Sequence, residues 1–95
     1  MAAYLIAHAK VNKPELMAEY SGKAGPTILA HGGTVIARGK VAEVLAGSHN
    51  GTIALIAKFP DAATAHAWYN SPEYQAAIPV RDQALEPTFV VIEEA

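Results

Sequence analysis

Apolar and polar positions alternate from the start of the chain. Residues 4–11 read as a strand, with Tyr4, Ile6, His8 and Lys10 on one face. Leu5, Ala7, Ala9 and Val11 form the other face, which is wholly apolar. Asn12-Lys13-Pro14-Glu15 then signals a helix start, with proline at the first helical position and Glu15 near the positive end. Leu16, Met17, Tyr20 and Ala24 keep helical spacing. Gly25-Pro26 predicts a kink or restart, after which the helix runs to His31. Gly32-Gly33 ends it, one glycine supplying a left-handed cap.

Residues 34–46 alternate again and predict a long strand with a bulge at Gly39. The loop over 46–51 returns the chain into a strand over 52–59, so the two make a hairpin. In that second arm Ile53, Leu55, Ala57 and Phe59 share a face, opposite Ala54 and Ile56. Asp61 is a good cap for a helix whose stripe is Ala62, Ala65, Trp68 and Tyr69. Ser71-Pro72-Glu73 repeats the start signal, so the helix breaks after Asn70 and resumes with Tyr74, Ala77 and Ile78. Pro79 bends it, residues 81–85 give a last turn, and Pro87 leads into a strand over 88–92. The order β-α-β-β-α-β predicts a single α+β domain over residues 1–95. Its expected form is ferredoxin-like, a four-stranded antiparallel sheet with both helices on one face.

Two helices cover one sheet face, yet the strands carry apolar residues on both: Val90 and Ile92 stand opposite Phe89 and Val91. A solvated face would alternate with polar residues. The pattern therefore predicts a homodimer packed sheet to sheet. Composition agrees: 52% of residues are hydrophobic and 17% charged, enough for a core in a 95-residue chain that buries little surface alone. Net charge is −2 and the seven basic residues form no stripe, so no nucleic-acid partner is expected. Without cysteine there is no disulfide, thiolate metal site or cysteine nucleophile. No apolar run reaches the length of a membrane span, and the first residues lack a basic signal-peptide region. The expectation is a cytoplasmic protein with no membrane partner.

Several motifs together resemble a known family. They are the opening Tyr4-Leu5-Ile6-Ala7, Pro14-Glu15, Tyr20, Pro26, Gly32-Gly33, Arg38-Gly39, Glu43-Val44-Leu45 and above all Trp68-Tyr69-Asn70-Ser71-Pro72-Glu73-Tyr74-Gln75. The chain resembles domain-of-unknown-function family 1330 over nearly its whole length. The resemblance implies a dimeric α+β barrel, two ferredoxin-like sheets closing around a shared core. That superfamily includes cofactor-independent monooxygenases, haem-degrading enzymes, lactone isomerases, polyketide cyclases and stress-induced proteins. Lys13 stands where the family usually has an acid, and Lys40 where a second glycine usually follows Arg38.

Trp68 and Tyr74 fit two roles, core aromatics of an amphipathic helix or walls of a flat-ligand pocket between helices and sheet. The helix break offers backbone groups, Asn70 and Ser71 as polar partners for a ligand. Tyr69, next in sequence to Trp68, is expected to point elsewhere. Tyr20 joins the candidate ligand-binding residues. Arg38 lies on a strand expected to be at least half buried, where it would pair with Glu43, Glu73 or a residue of a second copy, or anchor an acidic ligand. Arg81 has the same two readings. His8, mid-strand, is the candidate general base, or else a hydrogen-bonded structural residue. His31 suits a helix C-terminus, His49 a solvated loop, and His66 the face away from the stripe. No histidine pair has a metal-ligand spacing, and no nucleotide or nucleophile motif occurs. The sequence thus leads to a small-molecule site without a bound cofactor or metal. That site would belong to an enzyme acting on a small acidic or aromatic compound, or to a non-catalytic binding or stress-associated domain.

Overall fold

Strand β1 (Ala3–Val11) forms the middle of the molecule because both of its neighbours pair with it antiparallel. The computed structural model describes residues 1–95. The sheet contains β2 (Thr34–Lys40), β3 (Ile53–Phe59), β1 and β4 (Leu85–Glu93), in that spatial order. Between β1 and β2 runs α1 (Met17–Ala30). Between β3 and β4 lie α2 (Ala62–Tyr69), α3 (Pro72–Gln75) and α4 (Ile78–Ala84). This is the ferredoxin-like βαββαβ arrangement, with the second helix in three pieces.

Alternation along β1 sorts the two faces. Ala3, Leu5, Ala7 and Ala9 are buried under the helices, while Tyr4, Ile6 and His8 turn the other way. Leu5, Ala57 and Phe59 from the sheet meet Ala24, Ile28, Ala65, Trp68, Tyr74 and Ala77 from the helices in one core. On the uncovered face, Ala37, Ile56, Ile6 and Val90 stand opposite one another across all four strands. Val90 and Ile92 are about half exposed there (47% and 51%).

Local chemistry accounts for the element ends. Asp61 caps α2 by accepting from the Thr64 N–H at 2.7 Å, and Ser71 caps α3 by accepting from the Tyr74 N–H at 3.2 Å. At the end of α1, Gly32 takes φ +80°. Its N–H donates to the Leu29 carbonyl, and the Gly33 N–H reaches back to Ile28. That pairing is a Schellman stop, which needs a residue tolerant of positive φ.

Four expectations need correction. Gly25-Pro26 does not interrupt α1, which continues through Pro26 to Ala30. Gly25 and Pro26 are both exposed, so the hydrogen bond that proline cannot make is lost on the solvent side. The strand predicted over 34–46 stops at Lys40, because its partner β3 begins only at Ile53. Residues 41–52 form a loop pinned by the Val41 N–H to the Thr52 carbonyl at 3.0 Å. The bulge lies between Val35 and Ala37, not at Gly39. The final strand begins before Pro87, which is tolerated because β4 is an edge strand paired to β1 alone.

Candidate functional site

The break in the second helix builds a closed polar network inside the aromatic core. Trp68 is 2% exposed and Tyr74 fully buried, with ring centroids 4.5 Å apart. The Trp68 Nε1–H donates to Thr27 Oγ1 at 2.9 Å, and that hydroxyl donates onward to the Ala24 carbonyl at 2.6 Å. Ser71 is buried and its hydroxyl donates to the Trp68 carbonyl at 2.7 Å. The Asn70 and Ser71 N–H groups bond to the His66 and Trp68 carbonyls. The Asn70 and Ser71 N–H groups are therefore already paired and are not free for a ligand, contrary to the expectation from sequence. Tyr69 also departs from expectation. Its ring lies 5.2 Å from Tyr74 and 6.3 Å from Phe89, within the same aromatic cluster.

Arg81 completes this network. Its guanidinium donates from Nη1 to the hydroxyls of Tyr69 (3.0 Å) and Tyr74 (3.2 Å), and from Nε to Asp82 at 3.1 Å. Burial works against its charge, but the hydrogen bonds to the two phenols outweigh that and hold its pKa above the ordinary arginine value. Tyr74 in turn bonds to the Tyr20 hydroxyl at 2.8 Å. Arginine only donates, so Tyr74 accepts from it and has its own proton left to give. The one further hydroxyl within reach is that of Tyr20; donation from Tyr74 to it would give the buried Tyr74 proton an acceptor and leave the Tyr20 proton free. Burial, first of all, pushes the pKa of both phenols upward, so both stay protonated at neutral pH.

Tyr20 opens onto a cavity of about 440 Å³ between α1 and the sheet. Its walls are mostly apolar, among them Met17, Ile28, Ile53, Leu55 and Trp68. Space exists here because Ala7, Ala9, Ala24 and Gly25 also line it, and such small side chains leave the layers unfilled. The register places Arg38 opposite Leu55 and Lys40 opposite Ile53, both partners on the helix-covered face. Arg38 and Lys40 thus border the same cavity from one strand face. Both are exposed, and neither side chain makes a hydrogen bond or ion pair. Arg38 is therefore not half buried and has no carboxylate partner, because β2 is the edge of the sheet. No acidic residue lines this cavity.

His8 borders the cavity, yet it alternates with the buried Ala7 and Ala9, so its ring stands on the uncovered sheet face. There its Nδ1 lies 2.7 Å from Nε2 of His49, which the sequence placed in solvent. His31 Nδ1 meets the Thr27 carbonyl at 3.0 Å, at the end of α1. The structure thus brings Arg38, Tyr20 and Trp68 to one cavity. Tyr74 and Ser71 lie behind it in the core, and His8 projects from the other side of the sheet. Lys40 and the depth of Arg81 escaped the sequence reading. Lys40 was legible as the second cation on one strand face, two residues after Arg38. The burial of Arg81 had no local signal. No group of three or more His, Asp or Glu is placed to hold a metal ion, and no helix is long and apolar enough to cross a membrane.

The family model described as Domain of unknown function (DUF1330) matches residues 2–95. The chain belongs to that family. Solved structures share the fold. A protein of unknown function from Rhodopseudomonas palustris is 20% identical, with a TM-score of 0.76, covering 99% of this chain and 82% of that one. A dimeric ferredoxin-like protein of unknown function from Jannaschia sp. CCS1 is 16% identical, with a TM-score of 0.78 over 99% of this chain and 100% of that one. SnoaB from Streptomyces nogalater, described as a cofactor-independent oxygenase, is 8% identical, with a TM-score of 0.72 over 99% and 93%. No curated protein matches the sequence.

Proposed function

We propose that this DUF1330 protein binds a small molecule with a flat apolar body and one anionic group, in the cavity between α1 and the sheet. The observation that carries this reading is the pair of unpartnered cations, Arg38 and Lys40, on the rim of an apolar cavity without acidic residues. The apolar body would lie against Leu55, Ile53 and Trp68. The anion would take a bidentate bond from Arg38 and the charge of Lys40. Deeper in, the Tyr20 hydroxyl would donate to a ligand oxygen, its proton left free by the Arg81–Tyr74 chain.

A thermal-shift screen against small aromatic carboxylates and phenols tests this. Carboxylates raise the melting temperature of the wild-type protein, and the Arg38→Ala/Lys40→Ala double variant is stabilised distinctly less. Charged hydrogen bonds of ~1.5–3 kcal/mol correspond to a loss of about tenfold or more in affinity. Equal stabilisation of both proteins would exclude the rim as the anchor.

A catalytic use of the same cavity has one observation in its favour. The Tyr20 hydroxyl is linked to the Arg81 cation through Tyr74, and with Tyr74 as donor its proton would stabilise negative charge developing on a bound oxygen. SnoaB, of the same fold, is described as a cofactor-independent oxygenase. Oxygen consumption with the phenols that bind, lost in Tyr20→Phe, is the measurement for that reading. His8 would serve it as a base only from the opposite sheet face, so the binding reading has the stronger support.

The uncovered sheet face supports a homodimer packed sheet on sheet, and the Jannaschia relative is described as dimeric. Light scattering would then give twice the mass of one chain. Ile6→Asp, in the middle of the row of Ile56 and Val90, would return the monomer.

A further inference from the structure

Between α2 and the edge strand β4 lies a second cavity, of about 540 Å³. Arg81 lines it, and the polar chemistry of its guanidinium is incomplete. The group carries five N–H donors. Nε uses one on Asp82, and Nη1 uses two on Tyr69 and Tyr74. The two on Nη2 meet no protein acceptor. No buried side-chain polar atom lacks a partner, so Nη2 is not sealed in the core, and Arg81 lines the cavity. The residue itself is only 9% exposed.

The surroundings define what would complete it. The guanidinium sits 5.6 Å over the Phe89 ring and 5.9 Å over Tyr69, so its plane is held between aromatic walls. Its one carboxylate partner, Asp82, is exposed on the surface side. Leu5, Trp68, Phe89 and Val91 add apolar lining, while Asn70 stands among the remaining residues around the cavity. The Asn70 amide donates to the His66 carbonyl at 2.9 Å. Glu93 also lines the cavity and is exposed, which opposes a second negative charge on any ligand.

We propose that this cavity is a second binding site, for a small monocarboxylate with an apolar body, whose carboxylate bonds to Nη2 of Arg81. The site differs from the one rimmed by Arg38 in its cation, while Leu5, Trp68 and Phe89 line both cavities. Its cation is prepositioned by three hydrogen bonds, so a carboxylate meets a fixed donor pair rather than a mobile side chain.

The chain has two arginines, Arg38 and Arg81, so an Arg38→Ala variant leaves a single arginine Nε–H signal in nitrogen-resolved NMR. Titration of that variant with benzoate moves the remaining signal saturably, and succinate moves it less. Adding Val91→Phe, which fills the cavity from a partly exposed position, abolishes the shift. If that change unfolds the chain, Ala62→Leu fills the same cavity from α2 and carries the same expectation. A signal unmoved by benzoate, one moved equally by succinate, or one that still shifts in the filled variant overturns the proposal.

Discussion

The segment from Asp61 to Arg81 and the edge strand β2 carry the same kinds of residue to opposite ends. In the first, Trp68, Ser71, Tyr74 and Arg81 are all buried and hydrogen-bonded. In the second, Val35, Ile36, Arg38 and Lys40 are all exposed. Both regions hold an arginine beside a cavity, but Arg81 is fixed by three protein partners and Arg38 by none. The difference teaches where structure ends and recognition begins. A buried polar group must be satisfied within the fold or the fold is weakened, whereas a rim cation in water costs little to leave unpaired.

That contrast is broken most forcefully from the buried side. Trp68→Ala removes a ring that packs on Phe59 and Tyr74 and leaves Thr27 without its donor. A loss of about 3–5 kcal/mol in denaturant unfolding is expected. Tyr74→Phe keeps the ring but takes the oxygen from between Arg81 and Tyr20. The expected cost is ~1–3 kcal/mol, with Tyr20→Phe/Tyr74→Phe losing less than the sum of the singles. Ser71→Ala removes a cap and is expected to cost about 1 kcal/mol, read from the same unfolding curves.

At the small end stand the exposed groups. Arg38→Ala and Lys40→Ala are expected to leave stability within about 0.5 kcal/mol of wild type. If either destabilises as much as Tyr74→Phe, the contrast between the two regions fails. Asp61 sharpens it from another direction. The hydrogen bonds from Thr64 hold its carboxyl below the usual carboxylate value. A depressed folded-state pKa gives stability that is present above the unfolded pKa and lost as pH falls through the folded one. The difference in melting temperature between wild type and Asp61→Ala is therefore present at neutral pH and closes in acid.

The two regions also differ in how far the sequence foretold them. Ser71-Pro72-Glu73 and Asp61 are local signals, so the caps and the helix break were legible residue by residue. Gly32 was legible for the same reason, since a helix stop at positive φ needs glycine. The end of β2 was not legible, because Val41 to Leu45 alternate as a strand would. What they lack is a partner, since β3 starts at Ile53 and the chain between is spent on the loop. The candidate site shows the same division. Arg38 and Tyr20 were singled out as residue types, but the cavity joining them comes from Ala7, Ala9 and Ala24 being too small to fill the space between layers. The hydrogen-bonded chain Arg81–Tyr74–Tyr20 spans residues 20–81 and has no trace in local pattern.

The central claim is that the unpartnered cations of β2 hold an anion at the cavity under α1. Backbone amide NMR during a benzoate titration tests it most directly, because it separates this cavity from the one at Arg81. Saturable shifts are expected at Arg38, Lys40, Ile53 and Leu55, with affinity about tenfold weaker in Arg38→Ala/Lys40→Ala. Shifts absent from these residues in the wild type, or unchanged in affinity in the double variant, would contradict the account.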